Sequence, residues 1–238
     1  MPEGDTIWLS AAALRARLVG KQILKAVPPT LVGRTVEAVE PVGKHLLVRF
    51  DGGLALHTHM RMTGQWQIYA PRERWRRPAW QVKALLETED TVAVCFAAPT
   101  VELVREGRDG LQGLGPDVLA AEFDLDAVVA RARSTGPVAL GELLLDQRVA
   151  AGIGNIHKNE ALWRTRLDPF RSDYSDDELR LLYADARAGL QASIGGRRPV
   201  EAVYRRTGRP CRRCGTLIRS QRQGEHLRRT YWCATCQA

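Results

Sequence analysis

Four cysteines near the end of the chain fall into two pairs, Cys211-Arg-Arg-Cys214 and Cys233-Ala-Thr-Cys236, with 18 residues between the pairs. Two such knuckles can set four thiolates around one ion at tetrahedral angles, the ligand set of a structural zinc site. Protein would fill all four coordination positions, so one Zn2+ would hold the fold and offer no open position to a substrate. A segment this small buries too little apolar area to fold alone, and metal binding would supply much of its stability. A redox dithiol pair, or disulfides, is the competing reading of the same spacing. The fifth cysteine, Cys95, lies in the apolar run Val92–Phe96 and reads as a small buried hydrophobe.

The chain start, Met1-Pro2-Glu3-Gly4, offers a different chemistry. Removal of Met1 would expose proline's secondary amine, and an α-amino group titrates near ~8, within reach of its nucleophilic form at neutral pH. A secondary amine attacking a sugar aldehyde carbon gives an iminium that cannot shed its charge by losing an N–H proton. It is an electron sink suited to the β-elimination that cuts a phosphodiester. Glu3 beside it can carry protons. A third candidate is the turn Gly152-Ile-Gly154-Asn155. Glycines just before a helix expose N–H groups at its positive end, where a phosphate can sit, and Asn155 can cap that helix or donate to the same phosphate. A dinucleotide-binding fingerprint is excluded, because the third glycine position is His157 and a helical segment precedes the turn. A plain helix hairpin with glycines for tight packing remains the competing reading. His57 and His59 share one strand face, as partnered structural histidines or, alternatively, as a metal pair.

These residues need elements to hold them. Ile7, Trp8, Ala11, Leu14 and Leu18 lie near one helical face, with Gly20 as a stop. From about Thr35 the period changes to two. His45–Phe50, the turn Asp51-Gly52-Gly53 and residues 54–57 read as a hairpin, followed by strands at Gln65–Tyr69, Val82–Glu87, 91–96 and 101–104. One helix and a run of strands imply a β-sandwich or a partly open barrel. Past a glycine-rich boundary at Pro116 the signals become helical, over 124–133, 137–147, 156–166 and a last helix opened by the capping box Ser175-Asp-Asp-Glu178 and ended by Gly195-Gly196. In the cysteine module, residues 217–219 and 227–232 can pair around Gln223-Gly-Glu225. The expected class is α+β and multidomain: an N-terminal β-sandwich with its helix over 1–116, a helical domain over 117–202, and a zinc β-hairpin over 203–238.

Composition narrows the function classes. The 238 residues are 45% apolar and 26% charged, ordinary for a soluble protein, and no run approaches the roughly 18 apolar residues of a membrane helix. Acids at the chain start replace the positive region of a secretory signal, so neither export nor membrane insertion is expected. Residues 196–238 carry eleven arginines against Glu201 and Glu225, a net of +9 in a chain whose total is +8, so the first 195 residues sum to −1. A positive field confined to one end calls for a polyanion, most simply nucleic acid, with a solvated basic tail as the bland alternative.

Taken in order, MPEGDT, the strand start Gly43-Lys44-His45, LLLDQRVAAGIGN and the paired cysteines resemble the formamidopyrimidine-DNA glycosylase / endonuclease VIII family of base-excision repair enzymes over essentially the whole chain. Gly4 in place of leucine makes the chain similar to the endonuclease VIII branch, of the actinobacterial second-paralogue type. The resemblance implies a helix–two-turn–helix around residues 143–163, with Pro2 as Schiff-base nucleophile and Glu3 as the proton donor that opens the deoxyribose. Lys44 would lie near the lesion phosphate and sugar. Asn155 and Arg228 would hold phosphates, Arg148 would join them on DNA, and Arg61 and Met62 would fill the gap left by a flipped base. Cys211, Cys214, Cys233 and Cys236 would bind the zinc. The implied activity is a bifunctional glycosylase and abasic-site lyase acting by β,δ-elimination, without redox cofactor or catalytic metal. The implied partner is damaged double-stranded DNA, with single-stranded or bubble DNA left open, for a monomeric enzyme of the bacterial cytoplasm and nucleoid. Two departures stand out. Thr6 occupies the position of a second family glutamate, and the connection 195–204 leaves little room for the loop that covers an oxidised purine. Oxidised pyrimidines and abasic sites are therefore expected over 8-oxoguanine. A non-catalytic DNA-binding protein and a paralogue with lost or narrowed chemistry are the rivals.

Overall fold

The computed structural model describes residues 2–197 and 200–237. Met1, whose removal the chain-start chemistry requires, lies outside them. Backbone contacts divide the chain into two compact units, one of Pro2 and Thr6–Gln112, the other of Glu3–Asp5 and the described residues from Gly113 onward.

The first unit combines most of helix α1 (Gly4–Leu18) with eight strands: β1 (Lys25–Val27), β2 (Val36–Val42), β3 (His45–Phe50), β4 (Leu54–His59), β5 (Gln65–Tyr69), β6 (Val82–Glu87), β7 (Val92–Phe96) and β8 (Thr100–Arg105). They form two antiparallel four-stranded sheets, ordered β2-β3-β4-β8 and β1-β6-β7-β5, the expected sandwich. The helical face read from the sequence, Ile7, Ala11, Leu14 and Leu18, packs into one core with Val39, Leu46, Val48, Leu56 and Cys95. Gly52 and Gly53 adopt φ of 73° and 71°, which a two-glycine turn between β3 and β4 requires. β1 escaped the sequence reading because three residues with a single buried position, Ala26, show no periodicity.

In the second unit, α2 (Leu125–Ser134), α3 (Leu140–Leu143), α4 (Asn155–Thr165) and α5 (Asp176–Ile194) surround a core that includes Leu144, Ile153, Leu162, Leu179 and Tyr183. Asp124 caps α2 by accepting from the N–H groups of Asp126 and Ala127, and the Ser175–Glu178 capping box opens α5. The helix expected over 137–147 is corrected to the single turn of α3. Beyond it the N–H groups of Leu145 and Asp146 reach only three residues back, and the Asp146 carboxylate takes the Arg148 N–H, turning the chain away. The hairpin pairs β9 (Arg219–Gln223) with β10 (Arg228–Trp232) in the register Arg228↔Gln223 to Trp232↔Arg219. Its first strand starts two residues later than expected, because Leu217 bridges to Pro210 in the cysteine knuckle instead. Among the described residues, no helix is long and apolar enough to cross a membrane.

Candidate functional site

Helix α4 organises the second unit. Gly154 is its N-cap, and a Cβ there would collide with the Glu3 carboxylate, so glycine is required. Glu3 is 1% exposed and sits at the positive end of α4. Its Oε1 accepts the Ile156 N–H at 2.7 Å and its Oε2 accepts the His157 N–H at 3.2 Å. His157 Nδ1 lies 2.5 Å from the same Oε2, while the ring's Nε2 faces Asp5 at 3.9 Å and Ser193 Oγ at 3.5 Å. Gly4 N–H donates to Gly152 O at 2.9 Å, so backbone and side chain together fix the chain start on the glycine turn. Two of the donors at this helix end, the N–H groups of Ile156 and His157, thus go to the protein's own carboxylate. Asn155 is likewise the first helical residue and not the cap, and its Nδ2 donates to Arg229 O on β10 at 2.9 Å.

The following residues of α4 tie the hairpin down, a role the sequence did not reveal. Asn159 Oδ1 accepts the Tyr231 N–H at 2.7 Å. Glu160, also buried, accepts the N–H groups of Ala202, Val203 and Tyr204 at 2.8–3.0 Å, anchoring the segment that enters the cysteine module. Lys158 is fully buried, and its Nζ donates to Thr230 Oγ1 at 2.7 Å, which in turn donates to Gln223 Oε1 at 2.7 Å. A cavity of about 870 Å³ opens beside Lys158, lined also by Arg148, Arg228, Glu142 and Glu225. Arg148 is exposed there and held by Asp146 through Nη2 at 2.7 Å.

Burial pushes the Lys158 ammonium down from 10.5 to about 7. The unfolded chain keeps that proton up to about pH 10, so unfolding takes up a proton across this window and the stability contribution of Lys158 rises with pH between them. Between pH 7 and 9 the wild type should gain stability over Lys158→Met by up to about 1.4 kcal/mol per pH unit, read by denaturant unfolding. Parallel pH slopes in the two proteins would refute the buried charge.

The four cysteine sulfurs lie within 4.8 Å of one another, the one group among the described residues arranged to hold a metal ion. A tetrahedron of thiolates around an ion at about 2.3 Å has edges of about 3.8 Å, so the set fits. Trp163 Nε1 and the Arg213 N–H both donate to Cys211 Sγ at 3.4 Å, matching thiolate charge.

In the first unit, register sets His45 against His59, which places Lys44 at the β3 start beside the turn that carries Arg61 and Met62. His45 Nδ1 lies 2.8 Å from His57 Nε2, and the Arg61 N–H donates to His59 Nδ1 at 3.2 Å. These are partnered structural histidines. Burial, with neighbouring cationic and imidazole groups, holds His45 down to about 3 and His59 down to about 4, so both are neutral at pH 7. Pro2 is half-buried, Arg61 and Met62 are exposed, and Cys95 is buried, its thiol pushed up to about 12 by desolvation. Thr6 is exposed, and Asp5 is the acidic neighbour of the Glu3–His157 pair.

The formamidopyrimidine-DNA glycosylase N-terminal domain model matches residues 1–100, and the H2TH domain model of the same enzymes matches residues 114–201. "Probable endonuclease 8 2" of Streptomyces coelicolor is 40% identical, over 100% of this chain and 94% of its own length. "DNA-(apurinic or apyrimidinic site) lyase Nei2" of Mycolicibacterium smegmatis is 35% identical over 100% of this chain and 99% of its own. A crystal structure of Lactococcus lactis formamidopyrimidine-DNA glycosylase, non-covalently bound to DNA containing an abasic site, superposes with a TM-score of 0.83 over 99% of both chains at 21% identity, which shows a common fold. Domain models that together span most of the sequence, and relatives matched from end to end, give one result: the chain belongs to the formamidopyrimidine-DNA glycosylase / endonuclease 8 family.

Proposed function

We propose that this chain is a DNA glycosylase and abasic-site lyase of base-excision repair, acting on damaged double-stranded DNA through the Pro2 amine. The observation that carries the reading is Glu3, buried next to that proline and fixed by two backbone donors and His157. A nucleophile whose neighbouring proton carrier is held this firmly is preorganised for imine chemistry. The Pro2 nitrogen forms a bond to C1′ as the bond from C1′ to the base breaks, and Glu3 protonates the sugar ring oxygen as the ring opens. The iminium then accepts the electron pair left when a C2′ proton departs, expelling the 3′ phosphate. A second elimination expels the 5′ phosphate, leaving a one-nucleotide gap. Lys44 lies near the lesion phosphate and sugar, and Arg61 with Met62 fills the space of the extruded base, which offsets part of the several kcal/mol that bending and flipping cost.

On the hairpin, Arg228 and Asn155 hold the phosphates flanking the lesion, with Arg148 adding charge. The four thiolates take Zn2+, whose part is to hold the hairpin rigid. Arg228→Ala should weaken binding and reduce the slope of log affinity against log salt by about one; an unchanged slope would remove Arg228 from the phosphate contacts.

The short 195–204 connection supports oxidised pyrimidines and abasic sites as substrates. Incision of a panel of single-lesion duplexes tests this. Gapped products with phosphates at both ends, from abasic and oxidised-pyrimidine strands and far less from 8-oxoguanine, are expected. Tight binding without incision on every lesion would favour a non-catalytic DNA-binding role.

A further inference from the structure

One end of the β-sandwich carries an exposed ring that the proposed mechanism has not used. β5 and β6 both begin opposite Phe96 of β7, so the segments preceding them emerge at the same edge of the sheet. Before β5 comes the turn with Arg61 and Met62; before β6 comes the single 3-10 turn Ala79–Gln81. Ala97 joins the two. Its carbonyl accepts the Thr63 hydroxyl at 2.9 Å, and its N–H donates to Gln81 O at 2.7 Å. Ala97 and Arg61 both hold left-handed backbone, at φ of 50° and 43°, a conformation non-glycine residues keep only where the surroundings enforce it. The rim is a built structure and not a loose loop.

Trp80 stands in the middle of the 3-10 turn and is 79% exposed, the most exposed large apolar side chain among the described residues. Met62, on the adjoining turn, is 60% exposed. The neighbouring Trp75 behaves as a core residue, packing edge-on against Phe96 at 5.9 Å. The segment that leads to the indole is basic: residues 71–80 carry Arg72, Arg74, Arg76 and Arg77 against Glu73 alone, and Arg77 donates to Oε1 of Gln81, the residue after Trp80, at 3.2 Å. A flat ring left in water on a cationic rim is the arrangement by which proteins hold unstacked bases, the ring taking the base and the charge taking the backbone.

We propose that Trp80 is a second base-contacting residue of this protein, stacking on a nucleobase that bending of the duplex frees from its neighbours, alongside the Met62 turn. The assignment rests on the DNA-repair reading above.

Duplexes with an abasic-site analogue, carrying 2-aminopurine opposite or beside the site, are titrated with wild type, Trp80→Ala and Trp80→Phe at two salt concentrations. Trp80→Ala should bind the abasic duplex about tenfold more weakly, lose the wild-type change in 2-aminopurine fluorescence, and bind undamaged duplex as before. Its salt slope should match the wild type, because a neutral ring releases no counterions. Trp80→Phe should recover most of the affinity. Binding within twofold of wild type, or equal loss on damaged and undamaged duplex, overturns the stacking role and leaves a face for another partner. Wild-type protein gives the separate control. If it forms no borohydride-trapped adduct with abasic DNA, the repair reading falls and this inference with it; if it traps normally while Trp80→Ala binds unchanged, only the inference falls.

Discussion

Glu3→Gln should give a protein that folds and binds abasic-site duplex, yet turns over at least a hundredfold more slowly than wild type. Both oxygens of Glu3 accept bonds, from the N–H groups of Ile156 and His157, and Oε2 also pairs with Nδ1 of the His157 ring. An amide keeps one acceptor and turns a donor toward another donor, leaving a buried N–H without its partner, at a cost of about 1–3 kcal/mol. That is affordable for the fold, because α4 keeps its apolar contacts through Ala161 and Leu162. The chemistry loses more, since a positioned proton carrier contributes about 10²–10⁴ in rate. Single-turnover incision, with binding measured separately, divides the two effects. A rate loss under tenfold with normal binding would mean that Glu3 only anchors the chain start to α4.

With Zn2+ on the four thiolates as proposed, its chelation, or Cys214→Ser, should unfold the hairpin and cut affinity for duplex DNA at least a hundredfold while the helices and the sandwich persist. The module's own core is small, built on Val203, Cys211, Ile218 and Cys233, and cannot replace the ion's contribution. Cys214 is exposed, so serine at that position leaves no cavity and tests the ligand alone. Loss of that ion would release β9 and β10, and with them Arg228 and the carbonyl of Arg229 that Asn155 holds. Far-UV circular dichroism should change little, because α4 and α5 remain. Undiminished DNA binding by protein verified as metal-free would contradict a structural role for the four thiolates.

What could be read in advance follows from distance along the chain. Local signals survived: the capping box at Ser175, the β3–β4 turn glycines, the α1 face and the cysteine spacing each depend on residues within a few positions of one another. The contacts that build the site span far more chain, 153 residues from Glu3 to Ile156 and 72 from Lys158 to Thr230, and no periodicity reports them. The Lys158-Asn159-Glu160 run gave no sign of a role in the sequence, and the structure buries all three, each against a different backbone or hydroxyl partner. Gly154 was legible as a backbone requirement, but its reason was not: the space it leaves is filled by the Glu3 carboxylate. Trp80 carried no signal either, because a tryptophan before a strand is ordinarily core.

The claim on which these roles depend is that the proline nitrogen, freed by loss of Met1, bonds to the sugar of the damaged nucleotide. Reduction of the complex with abasic-site DNA by borohydride, followed by proteolysis and mass spectrometry, reads this directly. The account predicts one deoxyribose-linked peptide, modified at Pro2 and absent from Pro2→Gly. A trapped adduct on a lysine side chain, or strand cleavage by wild type with no trapped adduct, would contradict it.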